Sequence, residues 1–257
     1  MAHLTVTQIA ILSLILFVSG FMSGLAGFGF AALGSLSILL LPPKQAIPLL
    51  MALSIANQLL SLWKLRKDMP KSWNEIWPKG PGPAVLGGVV CVPLGIYLLH
   101  HLREEQLMVM IGSLLTIYSI YSLFKPTRIK LQGFDGPITG MIVGGLGGII
   151  CGFAAVPGIT IVVWTGLRSM PKQATRSIVQ PYILILQAIA LLYNAILHPD
   201  IFGHEFWKLL AVTIPAVLAG TLCGVLLYQR ISDMNFHRIS FILLGVTGTG
   251  ILLKLVF

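Results

Sequence analysis

The sequence predicts an all-α, polytopic transmembrane helical bundle. Of its 257 residues, 56% are apolar and 10% are charged, whereas soluble domains carry about 25% charged residues. The charged residues fall in short clusters between long apolar stretches, and stretches of about 18 or more apolar residues are typical of membrane spans. Backbone polar groups in lipid must bond within their own segment, which favours helices, and the alternating polarity of a β-barrel is absent.

Eight apolar segments follow one another along the chain. They are 6–41, 45–63, 82–101, 106–124, 136–167, 174–197, 207–229 and 236–256. The first and the fifth are too long for one plain span, and each contains a glycine-rich stretch, at 23–29 and at 144–158. We therefore expect these two segments to be broken or re-entrant helices, or hairpins of two short spans, which gives eight segments and up to ten short spans.

Short motifs recur in the same order in the two halves of the chain. The motif Pro43-Lys44-Gln45-Ala46 recurs at 171–174, and the motif that starts at Pro83 recurs at 215–218. The ordered set indicates an internal duplication, which is common in secondary transporters. The predicted organisation is a transmembrane repeat at 1–124, a cytoplasmic linker at 125–135 and a second transmembrane repeat at 136–257.

The distribution of lysine and arginine decides how the segments thread through the bilayer. If each overlong segment crosses once, the 17 basic residues divide ten to seven between the two faces. If each one returns to the face it entered, the division is thirteen to four, as the positive-inside rule expects. This threading makes the two repeats inverted relative to each other. It places both termini outside and the loops 64–81 and 125–135 in the cytoplasm.

Several function classes lack the residues that they need. The net charge of +9 does not indicate nucleic-acid binding, because the basic residues flank apolar spans. The three cysteines form no Cys-x-x-Cys pair, and the chain has no His-Glu-x-x-His helix, no paired carboxylates inside a span and no nucleotide-binding glycine loop. We therefore expect no catalytic residues, no metal and no cofactor, and we expect that the protein is not an enzyme.

The sequence resembles one known family. The features that carry the resemblance are the glycine-rich stretch 20–29, the proline–alanine step from Pro43 to Ala46, their echo in the second half and the length of 257 residues. They are similar to the sulfite exporter TauE/SafE family, also called the toluene sulfonate uptake permease family, over essentially the whole chain. The second half departs from the usual family pattern at Pro157 and Arg176. The resemblance implies transport, with a lean toward export, of sulfite or organosulfonates across the bacterial inner membrane.

The broken segments predict an anion site independently of the resemblance. A helix that restarts inside the bilayer exposes unpaired N–H groups and the positive end of its dipole, and these attract an anion without any charged side chain. Pro157 fits the first turn of a helix that begins near Gly158. Glycines also permit close helix packing, but two repeat-related clusters in overlong segments favour the break. The substrate-binding residues predicted here are Gly24, Gly27, Phe28, Gly29, Gly152, Pro157 and Gly158.

Polar residues on the helices that follow each break are predicted to reach a similar depth. They are Asn57, Gln58 and Gln187, with Gln180 and Tyr182 somewhat shallower. Such groups face a cavity in some proteins and bond across helices in others, and both interpretations stay open for Asn57 and Gln187.

Arg176 is the charged residue of greatest interest. It lies a few residues inside its span. An arginine near a helix end commonly snorkels to the membrane surface. The alternative is that its guanidinium points inward and binds the anion.

Together these features predict a secondary transporter for a small sulfur-containing anion that works by alternating access around a mid-membrane site. The alternatives are an anion channel, or an uptake permease for another small carboxylate or sulfate-like anion. The expected partners are the anionic substrate and the lipid bilayer. A homo-oligomer is left open, because small residues throughout the chain allow close helix contacts.

Overall fold

The computed structural model describes residues 4–64, 66, 81–124, 136–168, 170, 172–228 and 245–255. Within these ranges all regular secondary structure is helical, which confirms the all-α prediction. Seven of the described helices are long and apolar enough to cross a membrane. The protein is therefore a multi-pass membrane protein.

Ten α-helices follow one another along the described parts of the chain, seven of them long and three of them short. They are α1 (Val6–Ala26), α2 (Phe30–Gly34), α3 (Pro43–Lys64), α4 (Pro81–His101), α5 (Glu104–Leu123), α6 (Pro137–Ala154), α7 (Gly158–Leu167), α8 (Lys172–Leu197), α9 (His204–Tyr228) and α10 (245–253). Two 3-10 helices are Ser35–Leu39, which continues α2, and Pro199–Phe202. The α2 segment, Phe30–Leu39, and α7 are apolar but too short to cross a bilayer alone.

Both overlong segments are broken, as predicted. The first consists of α1 and α2, and the second consists of α6 and α7. Each segment is a helix of spanning length followed by a short helix, rather than two equal halves. The predicted linker 125–135, and the part of the last segment at 236–244, lie outside the described residues.

The backbone at the two breaks departs from helical geometry in different ways. Gly27, with φ of 82°, closes the last turn of α1 by donating its N–H to the Ser23 carbonyl, and Gly29, with φ of 92°, begins α2. Glycine adopts such positive φ values without steric cost. The second break instead has Ala155, with φ of 58°, after α6 and Pro157 before α7. Pro157 at the start of α7 confirms the predicted helix start.

The α4 and α6 helices cross with their backbones in direct contact. A Cβ atom built on Gly144 would collide with the Ala84 carbonyl oxygen, and one on Gly148 would collide with the Gly88 carbonyl oxygen. The seam continues to Gly152, where an added Cβ would lie 2.5 Å from backbone atoms of α4. Small residues at four-residue spacing are typical of close helix pairs in membranes.

A similar seam joins α1 to α9. Added Cβ atoms on Gly220 and Gly224 would collide with carbonyl oxygens of α1, and one on Gly24 would collide with the Thr221 carbonyl oxygen. A Cβ atom built on Gly20 would lie 2.6 Å from the carbonyl oxygen of Val217. These two glycine seams give the most extensive helix contacts in the bundle.

The seams interlock the two predicted repeats. The first helix of each repeat, α1 or α6, packs on the third spanning helix of the other, α9 or α4, and α3 packs on α8 between them. Large apolar side chains such as Val90, Ile117 and Leu226 point away from these contacts and are exposed, as expected for a surface that faces lipid. The inverted threading of the repeats stays a prediction.

We predict that Gly148→Ala destabilises the protein by about 1–3 kcal/mol, because its methyl group has to push the α4 backbone away. Gly250→Ala is the matched control, since nothing lies within 4 Å of a Cβ built there. The measurement is the melting temperature of each variant purified in detergent. Equal melting temperatures for the two variants would show that the α4–α6 contact is looser than described.

Candidate functional site

The two helix breaks meet at a cavity inside the bundle. A Cβ atom built on Gly158 would lie 3.8 Å from the Cβ atom of Phe28, so the breaks are in contact. The cavity is lined by Phe28, Gly29, Phe30, Ala31 and Ala32 from the first break, Ala155, Val156, Pro157, Gly158 and Ile159 from the second, Ser54 and Gln58 from α3, Tyr118 from α5, and Ile183 and Gln187 from α8. None of these residues is charged.

The cavity lies near the middle of the spanning helices that border it. Gln187 is about 22 Å from the first residue of α8 and about 15 Å from the last, at the rise of an α-helix. Ser54, which also lines the cavity, is about 17 Å from the start of α3 and about 15 Å from its end. The space that the centre of a water molecule can reach is about 20 Å³, which holds on the order of one or two waters.

The N-terminal end of α7 faces this cavity. Pro157, Gly158 and Ile159 all line it, and no side chain of the described residues caps the first N–H groups of the helix. The first residues of α2 also line the cavity, and its N-cap residue, Gly29, has no side chain to form a cap. Free N–H groups and the positive end of the helix dipole at α7 make this place favourable for negative charge.

Two buried glutamine side chains border the same space. The Nε2 atom of Gln187 donates to the Ala155 carbonyl at 2.8 Å, which satisfies the C-terminal end of α6. Among the described residues the Oε1 atoms of Gln187 and Gln58 have no hydrogen-bond partner, although both side chains are about 1% exposed. A buried amide oxygen without a donor is costly in a folded protein. Because these oxygens only accept hydrogen bonds, an anion would be bound by the Nε2 donors of the two amides and not by the oxygens.

Asn57 lies next to Gln58 in the chain, but its side chain bonds to neighbouring helices instead of lining the cavity. Its Nδ2 atom donates to the Ser23 hydroxyl at 2.8 Å, and its Oδ1 atom accepts from the Thr221 hydroxyl at 2.7 Å. These bonds tie α3 to α1 and α9. Of the two interpretations of Asn57, the structure supports hydrogen bonding across helices.

Arg176 caps the C-terminal end of α1. Its side chain is 8% exposed, and its Nη2 atom donates to the Gly24 carbonyl at 2.7 Å while Nη1 donates to the Leu25 carbonyl at 3.4 Å. Its stem packs on Gly27, where a built Cβ would lie 2.9 Å from Nε. A cation at a helix C-terminus satisfies free carbonyls and favours the negative end of the dipole. The guanidinium does not line the cavity.

A second polar cluster lies at the opposite end of α8 from Arg176. The rings of His100 and His198 stack with their centroids 3.4 Å apart, and the Nε2 atom of His100 lies 2.9 Å from Oδ1 of Asn194. The Lys44 ammonium donates to the His100 carbonyl at 2.9 Å and so caps α4. In the described part of the chain no group of three or more His, Cys, Asp or Glu side chains is arranged to hold a metal ion.

Comparison with known families identifies the chain. The family model described as sulfite exporter TauE/SafE matches residues 12–251. The chain belongs to the sulfite exporter TauE/SafE family. The match confirms the resemblance read from the sequence and shows that the protein is a membrane transporter, in agreement with the expectation that it is not an enzyme. No curated protein and no solved structure matches the chain.

The cavity of this TauE/SafE family member contains only part of the residues predicted to bind substrate. Those that line it are Phe28, Gly29, Gln58, Pro157, Gly158 and Gln187. Gly24 and Gly152 lie in the two glycine seams, and Gly27 packs on Arg176. Tyr182 donates its hydroxyl to the Gly144 carbonyl at 3.0 Å. Gln180 is fully buried on α8 and does not line the cavity.

Sequence reasoning missed several residues that line the cavity. They are Phe30, Ala31, Ala32, Ser54, Tyr118, Ala155, Val156, Ile159 and Ile183. Ser54 and Ile183 carried a usable signal, because they lie four positions before Gln58 and Gln187 and so share their helix faces. Ala155 and Val156 also carried one, since they lie inside the predicted break at 144–158. Tyr118 carried none, since nothing in the sequence says which face of α5 turns toward the breaks.

We predict that Arg176→Met lowers the stability of the ligand-free protein by about 1.5–3 kcal/mol, the range for a hydrogen bond to a charged group. The reason is that the last carbonyls of α1 lose their donor. Lys208→Met is the control, because Lys208 is exposed. Melting temperatures in detergent without added anion test this, and an unchanged value for Arg176→Met would mean that the cap contributes little.

Proposed function

We propose that the protein is a secondary transporter that carries a small sulfur oxyanion, sulfite or an organosulfonate, out of the cell across the bacterial inner membrane. The observation that carries the proposal is the uncapped N-terminus of α7, which faces a cavity beside the buried amides of Gln58 and Gln187. Family membership supports the class of substrate.

The chemistry of the cavity suits an anion with several oxygen atoms. Backbone N–H groups at the start of α7, and the Nε2 donors of the two glutamines, provide hydrogen bonds from more than one direction. None of the described residues that line the cavity is a carboxylate, which would repel a negative charge. A cation would meet the positive end of a helix dipole here, which is unfavourable.

The position of the cavity supports a carrier. Its place near the middle of α3 and α8, between the two predicted repeats, supports alternating access. In that mechanism one repeat moves against the other around a central site.

The proposal is tested first by the melting temperature of the purified protein in a panel of anions. Sulfite, taurine, sulfoacetate and an aromatic sulfonate are compared with sulfate, a small carboxylate, chloride and a small cation. A ligand at 100 times its Kd stabilises the folded state by about 2.7 kcal/mol. We expect a saturable shift with a sulfur oxyanion and none with chloride or the cation. A shift with the cation alone would refute the anion site.

Transport itself is measured as uptake of the same labelled anion by proteoliposomes. We expect flux that saturates with concentration and that is accelerated by unlabelled anion on the opposite side. Ohmic single-channel currents in a planar bilayer would instead support the channel alternative. Saturable flux of a carboxylate or sulfate, without flux of sulfite or sulfonates, would support the permease alternative.

We predict that Gln58→Met weakens anion binding by about tenfold or more, because a hydrogen bond to a charged ligand is lost. The ligand-free protein should melt at the same temperature or slightly higher, since an unmatched buried oxygen is removed. Thr213→Val is the matched control, because its hydroxyl bonds within its own helix to the Leu209 carbonyl at 2.7 Å. Equal anion affinity in the two variants would remove Gln58 from the site.

The predicted threading gives a separate test. Single cysteines at Ala2 and Phe257, which lie outside the described residues, should react with an impermeant thiol reagent from outside intact cells. A cysteine at Gln132, in the predicted cytoplasmic linker, should react only after the membrane is opened. The background is a variant without Cys91, Cys151 and Cys223. Protected termini would contradict the inverted threading.

A further inference from the structure

One face of α8 carries three polar side chains together with Ile183, and this face extends beyond the cavity. Arg176, Gln180, Ile183 and Gln187 follow at spacings of four, three and four residues, which places them on one side of an α-helix. Ile183 and Gln187 line the cavity, and Arg176 caps α1. Gln180 lies between them, about 10 Å along the helix from Gln187 and about 6 Å from Arg176.

Gln180 is unusual among the buried polar residues of α8. It is 0% exposed, and neither its Nε2 nor its Oε1 atom has a hydrogen-bond partner in the described ranges. Tyr182 and Asn194, on the same helix, each donate to a backbone carbonyl. A buried amide with no partner at all is costly, and such groups call for an explanation in terms of function or of another state of the protein.

The direction of the facing helix α3 relative to α8 follows from two pairs of residues. Met51 lies against Asn194, with Sδ and Nδ2 3.9 Å apart, whereas Gln58 and Gln187 border the same cavity. The two helices therefore run in opposite directions. Continuing from Gln58 toward the C-terminus of α3 leads toward the N-terminus of α8.

This register brings Ser61 between the levels of Gln187 and Gln180. Ser61 continues the face of α3 that carries Ser54 and Gln58, at spacings of four and three residues. It is 0% exposed, and its Oγ atom likewise lacks a hydrogen-bond partner among the residues that the structure describes. Two facing helices thus hold unmatched polar atoms on the same side of the cavity.

We propose that the anion moves between the cavity and the Arg176 end of the bundle along this face, and that the Gln180 amide and the Ser61 hydroxyl bind it on the way. The inference rests on the proposed function and names the route that the substrate of that site takes. The groups along it are two amides, a hydroxyl and a guanidinium, all of which donate hydrogen bonds to an oxyanion. In the state described here the route is closed, and Gln180 and Ser61 gain their partner when the helices move apart.

The test separates equilibrium binding from transport. Gln180→Met keeps the length of the side chain and removes both polar atoms. We expect it to melt at an equal or higher temperature without ligand, and to keep the anion-dependent thermal shift within about twofold of the unmodified protein. Saturating flux of labelled sulfite or sulfonate in proteoliposomes should fall by about tenfold, as for the loss of one hydrogen bond to an anion. A purely structural role would not lower flux in a variant that is equally stable.

Unchanged flux in Gln180→Met would overturn the inference. If that variant does not fold, Ser61→Ala decides, since lower flux with unchanged binding supports the route and normal flux excludes it. Thr213→Val serves as the control with a buried hydroxyl away from this face. Absence of any thermal shift and flux in the unmodified protein would instead refute the proposed function, and this inference with it. Normal transport in the unmodified protein and in both variants refutes this inference alone.

Discussion

The α1 and α6 helices end inside the bundle, at Ala26 and Ala154, where lipid and packed side chains leave little water to satisfy backbone groups. Free carbonyls at such an end need donors, and free N–H groups at the next helix need acceptors. Arg176 supplies the donors for α1, and Gln187 supplies one for α6. Both side chains belong to α8. The helix that borders the cavity therefore also holds both of the ends that form it.

The same constraint explains the glycines of the two seams. Two breaks can meet only if the helices that carry them approach closely, and a side chain at Gly148 or Gly224 would prevent that approach. The first residues of α2 and of α7 both line the cavity. Among the described residues, no side chain caps the first N–H groups of α7, and the positive end of its dipole favours negative charge there.

The sequence was sufficient to predict the helical class, the family and the two breaks. These features depend on local properties: apolar length, glycine clusters and the fixed φ of Pro157. The contacts of Arg176 could not be predicted from the sequence. Whether its side chain reaches the membrane surface, the anion or the end of α1 depends on how α8 is rotated relative to α1. For Gly24 and Gly152 the alternative interpretation, close helix packing, describes their positions. A glycine in a seam and a glycine at a break have the same sequence signal.

The first break has Phe28 between two glycines with positive φ, whereas the second has Ala155 and a proline whose ring fixes φ. Rotation of the backbone is therefore much easier at the first break than at the second. The two breaks, although similar in position along their segments, therefore differ in backbone flexibility. Phe28, which lines the cavity, therefore lies where backbone rotation meets the least resistance, whereas Pro157 restrains the start of α7.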